Sequence, residues 1–272
     1  MLGGISHHLS FAGLNKIGFD HAITIMFLYF CIRNQDWQLI MSCILSIETS
    51  TSVCSVALSM DGEILFEKAS FEGPSHAALL GVFVEEALSA LKKKEGKLDA
   101  VAVSSGPGSY TGLRIGVSVA KGLCFGFGIP LIGIHTLDIM AATAIKQNKG
   151  VTDCLYCAML DARRMEVYAA IYDASLKLLR ETTADIVDEG TYASYLEKGK
   201  VCFFGNGAEK CKPVITSPNA LFMEDVHPLA VNMIPLAEQA FAAGKFEDTA
   251  YFEPFYLKEF QATIAKNKVL GN

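Results

Sequence analysis

Two acidic residues, Glu48 and Asp161, each stand at the end of an apolar run and just ahead of a polar turn. A carboxylate placed at a strand end beside a turn can ligate a metal ion or accept hydrogen bonds near a bound phosphate. Between them lies SSGPGSYTGLRIG, residues 104–116, whose glycines and hydroxyls could bend a strand into a helix or cradle an anion. The stretch lacks the terminal Gly-Lys-Ser/Thr of a P-loop. Gly106, Gly108 and Gly112 form GxGxxxG, one residue longer than the dinucleotide fingerprint. Spacing therefore favours a corner over a phosphate loop, with Ser109 or Thr111 capping the helix that follows. Glu48, Gly106, Gly108, Ser109 and Asp161 stand as the candidates for nucleotide or anion contact.

Other reactive residue types form no site by spacing. The eight cysteines lie mostly inside apolar runs, where reduced cysteine serves as a small hydrophobe, which fits the cytosol. Cys154 and Cys157 make a lone CxxC inside an expected strand, where positions i and i+3 point to opposite faces. No second pair follows at zinc spacing, so no metal is expected here. Neither a Ser-His-Asp arrangement nor a metal-protease pattern is visible. An RNase H-like nuclease needs several clustered carboxylates, and only Glu48, Asp161 and Asp99 fall at strand ends. A net charge of −6 opposes holding RNA mainly through its phosphates, and Lys92-Lys93-Lys94 reads as a solvated helix end.

The elements that must position these residues follow from periodicity. Residues 42–58 read as strand, polar turn, strand, and Asp61-Gly62 turns the chain into a third strand over 64–68. Ser75 opens a helix to about residue 91; 98–104 is a buried strand, 111–127 a helix, 130–134 a strand and 136–147 a helix. Residues 154–171 repeat strand, acid, turn and strand about 113 positions after the first copy, which implies an internal duplication. That layout resembles the actin, hexokinase and Hsp70 (ASKHA) superfamily, a duplicated α/β fold of two RNase H-like lobes facing a cleft. The expected division is a first lobe over 41–140 and a second over 141–272 with C-terminal helices. Residues 1–40 are expected to lie outside the fold as an upstream-start extension. Their apolar run, 22–32, is about nine residues short of a membrane span and lacks the flanks of a signal peptide.

The two helices of the first lobe carry more small or apolar surface than one contact uses. Gly112, Gly116, Ala120 and Cys124 recur every four residues, a stripe that admits close approach of another helix. Each glycine inside a helix costs about 1 kcal/mol relative to alanine, so the spacing calls for a packing reason. Internal packing against the 75–91 helix is one such reason, and a second protein is another. Leu80, Val84, Leu88, Gly112, Gly116 and Ala120 are the expected partner interface.

Four segments in this order, ILSIETSTSVCSVAL, SSGPGSYTGLRIGVSVAKGLCFG, PLIGIHTLDIMA and MLDARRMEVYAAIYD, closely resemble the bacterial TsaB (YeaZ) family. AYFEPFYLK, residues 250–258, is similar to its C-terminal Pro-x-Tyr-Leu-Arg signature, with Lys258 standing for the arginine. The resemblance spans Met41 to about Lys258. It implies a non-catalytic subunit in making threonylcarbamoyladenosine at position 37 of ANN-decoding tRNAs. The implied partners are a catalytic TsaD-like paralogue, met through the first-lobe helices, and a TsaE-like ATPase. The chain would reach tRNA only through the complex, would use no cofactor of its own while ATP and metal belong to the partners, and could homodimerise alone. The transferase relatives carry a His-x-x-x-His pair on the first-lobe helix; here His76 is followed by Leu80. Glu48 also replaces the usual aspartate, and Asp161 precedes no glycine-rich phosphate turn. Arg114 lies on the interface helix but off the small stripe, free to cap, to pair with an acid or to face the partner. The rival reading is an ATP-using kinase or hydrolase of the same superfamily.

Overall fold

A mostly apolar run, CILSIE, lets β1 (Cys43–Glu48) bury every side chain, because its two faces meet two different layers. In this computed structural model, which describes residues 42–73, 75–148 and 153–258, β1 is the centre of a five-stranded sheet. β2 (Cys54–Met60) and β3 (Glu63–Ser70) continue from it as an antiparallel meander. The chain then forms α1 (His76–Lys93), β4 (Ala100–Gly106), α2 (Tyr110–Phe127), β5 (Leu131–His135) and α3 (Thr136–Gln147). Strands β4 and β5 are parallel to β1, giving the order β3-β2-β1-β4-β5.

The second half repeats this plan. β6 (Cys154–Asp161), β7 (Glu166–Tyr172) and β8 (Leu178–Ile186) form the second meander. After α4 (Ala193–Leu196) come β9 (Lys200–Phe204), β10 (Ala220–Met223) and α5 (Ala230–Ala242). Their order, β8-β7-β6-β9-β10, matches the first sheet strand for strand, with the same parallel and antiparallel pairings. The duplication expected from the two acidic turns is present in the topology. What differs is the helices: α1 and α2 each run 18 residues, whereas α4 has 4 and a 3-10 turn of 3 residues, Glu209–Cys211, stands where a copy of α2 would be.

Each half lends its last helix to the other. Leu137, Met140, Ala141 and Ala144 of α3 pack with Tyr156, Leu160 and Tyr172 of the second sheet. In return Met233 and Ala237 of α5 pack with Ile44, Ala102 and Ile132 of the first, joined by Ile139 of α3. The two helices are tied by Asn232 Nδ2 donating to Thr143 Oγ1 at 3.0 Å. The expected boundary near residue 140 therefore cuts through α3, and α5 covers the first sheet rather than the second. The described residues form one compact unit. The opposite face of the first sheet is covered by α1 and α2, through Leu80, Phe83, Val84, Val117 and Ala120.

Candidate functional site

The corner between β4 and α2 is built by the glycine-rich stretch. Gly106 takes φ +104°, a left-handed value that a side chain resists. Ser109 then caps α2, its hydroxyl accepting the Gly112 N–H at 3.3 Å. Its own N–H donates to the Ser50 carbonyl at 2.6 Å, which seats the β1–β2 turn on the corner. Gly108, Gly112 and Gly116 leave room for that turn, since a Cβ at any of them would run into Ser50 or Thr49.

This overturns the expected interface. The stripe Gly112, Gly116, Ala120 is buried against Thr49, against His76 at the start of α1 and against the first-sheet core, so the expected internal packing accounts for part of it and none of it is free for a partner. Leu80 and Val84 are core residues on the sheet side of α1, and Leu88 is partly buried against the same core. Regular spacing defines one face of a helix without saying which way it turns. The faces turned outward are different. On α1 they present Ala77, Ala78, Gly81, Val82 and Glu85; on α2, Thr111, Arg114, Ser118, Gly122, Phe125 and Gly126. Among the described residues, a Cβ at Gly81, Gly122 or Gly126 would meet nothing within 4 Å, and Phe125 is 89% exposed. Helix α2 contains no acidic residue and only two cations, Arg114 and Lys121, which is unusual for a water-facing helix.

A cleft of about 1290 Å³ opens between the two halves. The first half lines it with Ser50, Thr51, Ser52, His76, Gly108, Ser109 and Thr111, and the second with Asp161, Arg163, Arg164, Glu166 and Asn206. Of the candidate anion contacts, Gly108, Ser109 and Asp161 reach it, whereas Glu48 and Gly106 are buried and do not line it. Asp161 is engaged: Lys210 pairs with its carboxylate, which also accepts the Arg163 N–H at 2.9 Å. Glu48 Oε1 accepts the Ser50 N–H at 2.6 Å, and among the described residues its Oε2 has no hydrogen-bond partner. Burial pushes its carboxyl up to about 7, against the opposing pull of the Ser50 hydrogen bonds. Asp99 accepts the Cys43 N–H at the opposite end of β1, so Glu48, Asp161 and Asp99 do not assemble into a nuclease cluster.

His76 is fastened to its own chain, with Nε2 2.7 Å from the Thr51 carbonyl. Among the described residues, no group of three His, Cys, Asp or Glu side chains is placed to hold a metal ion. Cys154 and Cys157 face opposite cores, as the strand period requires. The neighbour of Cys154 is Cys202, with 3.1 Å between the sulfurs, a proximity that only the parallel β6–β9 pairing creates. Arg114 stacks 4.2 Å over the Tyr110 ring and donates through Nε to the Tyr256 hydroxyl at 3.3 Å. The sequence offered a visible signal for one further cleft feature, the Arg163-Arg164 pair, whose residues both take positive φ in the β6–β7 turn.

Comparison with known proteins bears on this architecture. The family model described as TsaD, tRNA N6-adenosine threonylcarbamoyltransferase, matches residues 70–266. The tRNA threonylcarbamoyladenosine biosynthesis protein TsaB of Escherichia coli is 35% identical over 84% of this chain and 98% of its own length. The chain belongs to the TsaB (YeaZ) family. A Bacillus subtilis TsaB is 31% identical over 67% of this chain and 76% of its own length. The solved YeaZ structure from Pseudomonas aeruginosa is 27% identical, covers 80% of this chain and all of its own, and superposes with a TM-score of 0.64. The fold expected from the duplication, two RNase H-like ASKHA lobes, is thus the fold of this TsaB-family chain.

Proposed function

We propose that the chain acts in threonylcarbamoyladenosine biosynthesis as a non-catalytic subunit, docking a TsaD-type transferase on the outer face of α1 and α2. The observation that carries this reading is the set of helical glycines with open space above them. Gly81, Gly122 and Gly126 each weaken a helix by about 1 kcal/mol and pack against nothing among the described residues. Such positions gain a purpose when another backbone approaches, and the exposed Val82 and Phe125 beside them supply apolar anchors. The relatives' names place them in the same biosynthesis.

The cleft supports the non-catalytic half of the reading. Its two carboxylates are taken up by lysines, Asp161 by Lys210 and Glu166 by Lys258, and Glu48 is sealed beneath. Leu80 is embedded in the core at the position where the transferases carry their second histidine. In this reading position 37 of ANN-decoding tRNA is modified by the partner, which with a TsaE-like ATPase supplies metal and ATP. The net charge of −6 suits a subunit that leaves tRNA contact to others.

The test is co-purification of the full chain with TsaD-type and TsaE-type proteins. Gly122→Glu together with Phe125→Asp is expected to abolish the complex and the tRNA modification it performs, leaving the isolated chain folded. Retained complex formation sinks the docking face. Modification of tRNA or turnover of ATP by the isolated chain sinks the non-catalytic role.

A further inference from the structure

Among the described residues no helix follows α5, yet residues 247–258 are pinned at nearly every step. Glu247 donates its N–H to the Leu131 carbonyl at 2.8 Å, a single antiparallel bridge on the edge of β5. The Lys121 ammonium on α2 reaches the Ala250 and Phe252 carbonyls at 3.0 and 3.2 Å. The Phe252 ring fills the space that Gly133 leaves open. Phe255 donates its N–H to the Ser105 carbonyl at 2.7 Å and sets its ring edge-on to His135. Tyr256 packs on Tyr110 with ring centroids 4.9 Å apart. All of these anchors belong to the first half.

The last described residue leaves it. Lys258 pairs with both carboxylate oxygens of Glu166, the first residue of β7 in the second half. Phe255, Tyr256, Leu257 and Lys258 line the cleft, whereas no residue of α3 or α5 does. Among the described residues the halves are therefore fastened both away from the cleft, chiefly by the exchanged helices, and at it, by this segment. One fastening leaves a two-lobed molecule free to hinge, and a second at the opening removes that freedom.

We propose that residues 247–258 are a locking strap, with Lys258–Glu166 as its catch, that holds the two sheets at a fixed opening. The strap is read from the isolated chain and stands independently of the docking face.

Hydrogen–deuterium exchange on the full chain tests it. Lys258→Ala and Glu166→Ala are each expected to speed exchange about threefold in peptides covering both the strap and the β6–β7 turn, with α5 peptides unchanged. The charge reversal Glu166→Lys with Lys258→Glu is expected to restore wild-type protection. Lys121→Met, which frees the middle of the strap and leaves the catch intact, is expected to loosen the same two peptides. Loosening confined to the strap, acceleration spread equally into α5, or failure of the reversal to restore protection overturns the proposal.

Discussion

The Thr49 hydroxyl donates to the Gly112 carbonyl at 2.8 Å, and the space beside it is the space a Gly116 Cβ would need. One threonine in the β1–β2 turn thus explains two glycines 63 and 67 positions away. The contact divides the glycines of α2 into two kinds. Gly116→Ala is expected to destabilise the chain by about 1–3 kcal/mol, because Thr49 is buried and cannot step aside cheaply. Gly122→Ala, with open space above it, is expected to stabilise by about 0.5–1 kcal/mol. Urea denaturation of the two variants checks both signs.

Glu48 predicts a pH dependence. Its folded-state pKa is raised from 4.5 to about 7 by burial, so between those values the native state binds more protons than the unfolded one. Its contribution is fully present below pH 4.5 and is lost as pH rises through about 7. The whole change is at most about 3 kcal/mol. Glu48→Gln is expected to flatten this slope, as read from denaturation midpoints at pH 5 and pH 8. A slope unchanged in the variant would assign the pH response elsewhere.

The outer α1–α2 face predicts a separation of stability from association. Phe125→Ser removes an exposed ring, so the melting temperature of the isolated chain is expected to stay within a degree or two. Binding of the TsaD-type protein is expected to weaken by about 2 kcal/mol or more, measured by titration calorimetry. Self-association of the isolated chain, followed by sedimentation, is expected to fall in the same variant.

The cysteines predict chemical silence. All seven in the described residues are buried. Burial pushes Cys43, Cys54 and Cys124 up to about 11 and Cys202 up to about 12, so little thiolate forms near neutrality. Under native conditions Ellman's reagent is expected to leave these seven unmodified over minutes and to react with them only as the chain unfolds. Prompt labelling of Cys154 or Cys202 would contradict the burial of the pair.

Local pattern carried the elements well. The helix expected over 111–127 is Tyr110–Phe127, and that expected over 136–147 is Thr136–Gln147. Capping chemistry was legible at Ser109, whose hydroxyl accepts as expected, and less so at Ser75, whose hydroxyl donates to Gly73 instead. The direction in which a face turns was not legible. Gly112, Gly116 and Ala120 mark a seam at i, i+4 and i+8, but the β1–β2 turn, 63 and 67 positions upstream of the two glycines at Thr49, occupies it, and no local spacing encodes that. For the same reason α5 read as part of the second lobe: its apolar period fits either sheet. Cys154 beside Cys202 likewise arises from a parallel strand pairing between distant segments of the second half, and Lys258 on Glu166 from segments that meet only after both halves have formed.

The crossing of α3 and α5 makes the repeat reciprocal. A fragment cut near residue 150 would carry a sheet with one side largely bare and a helix stripped of the sheet that most of its apolar face covers. Two such fragments offered together supply what each other lacks, so the gene should tolerate being split there and rejoined by non-covalent complementation, while neither piece survives by itself.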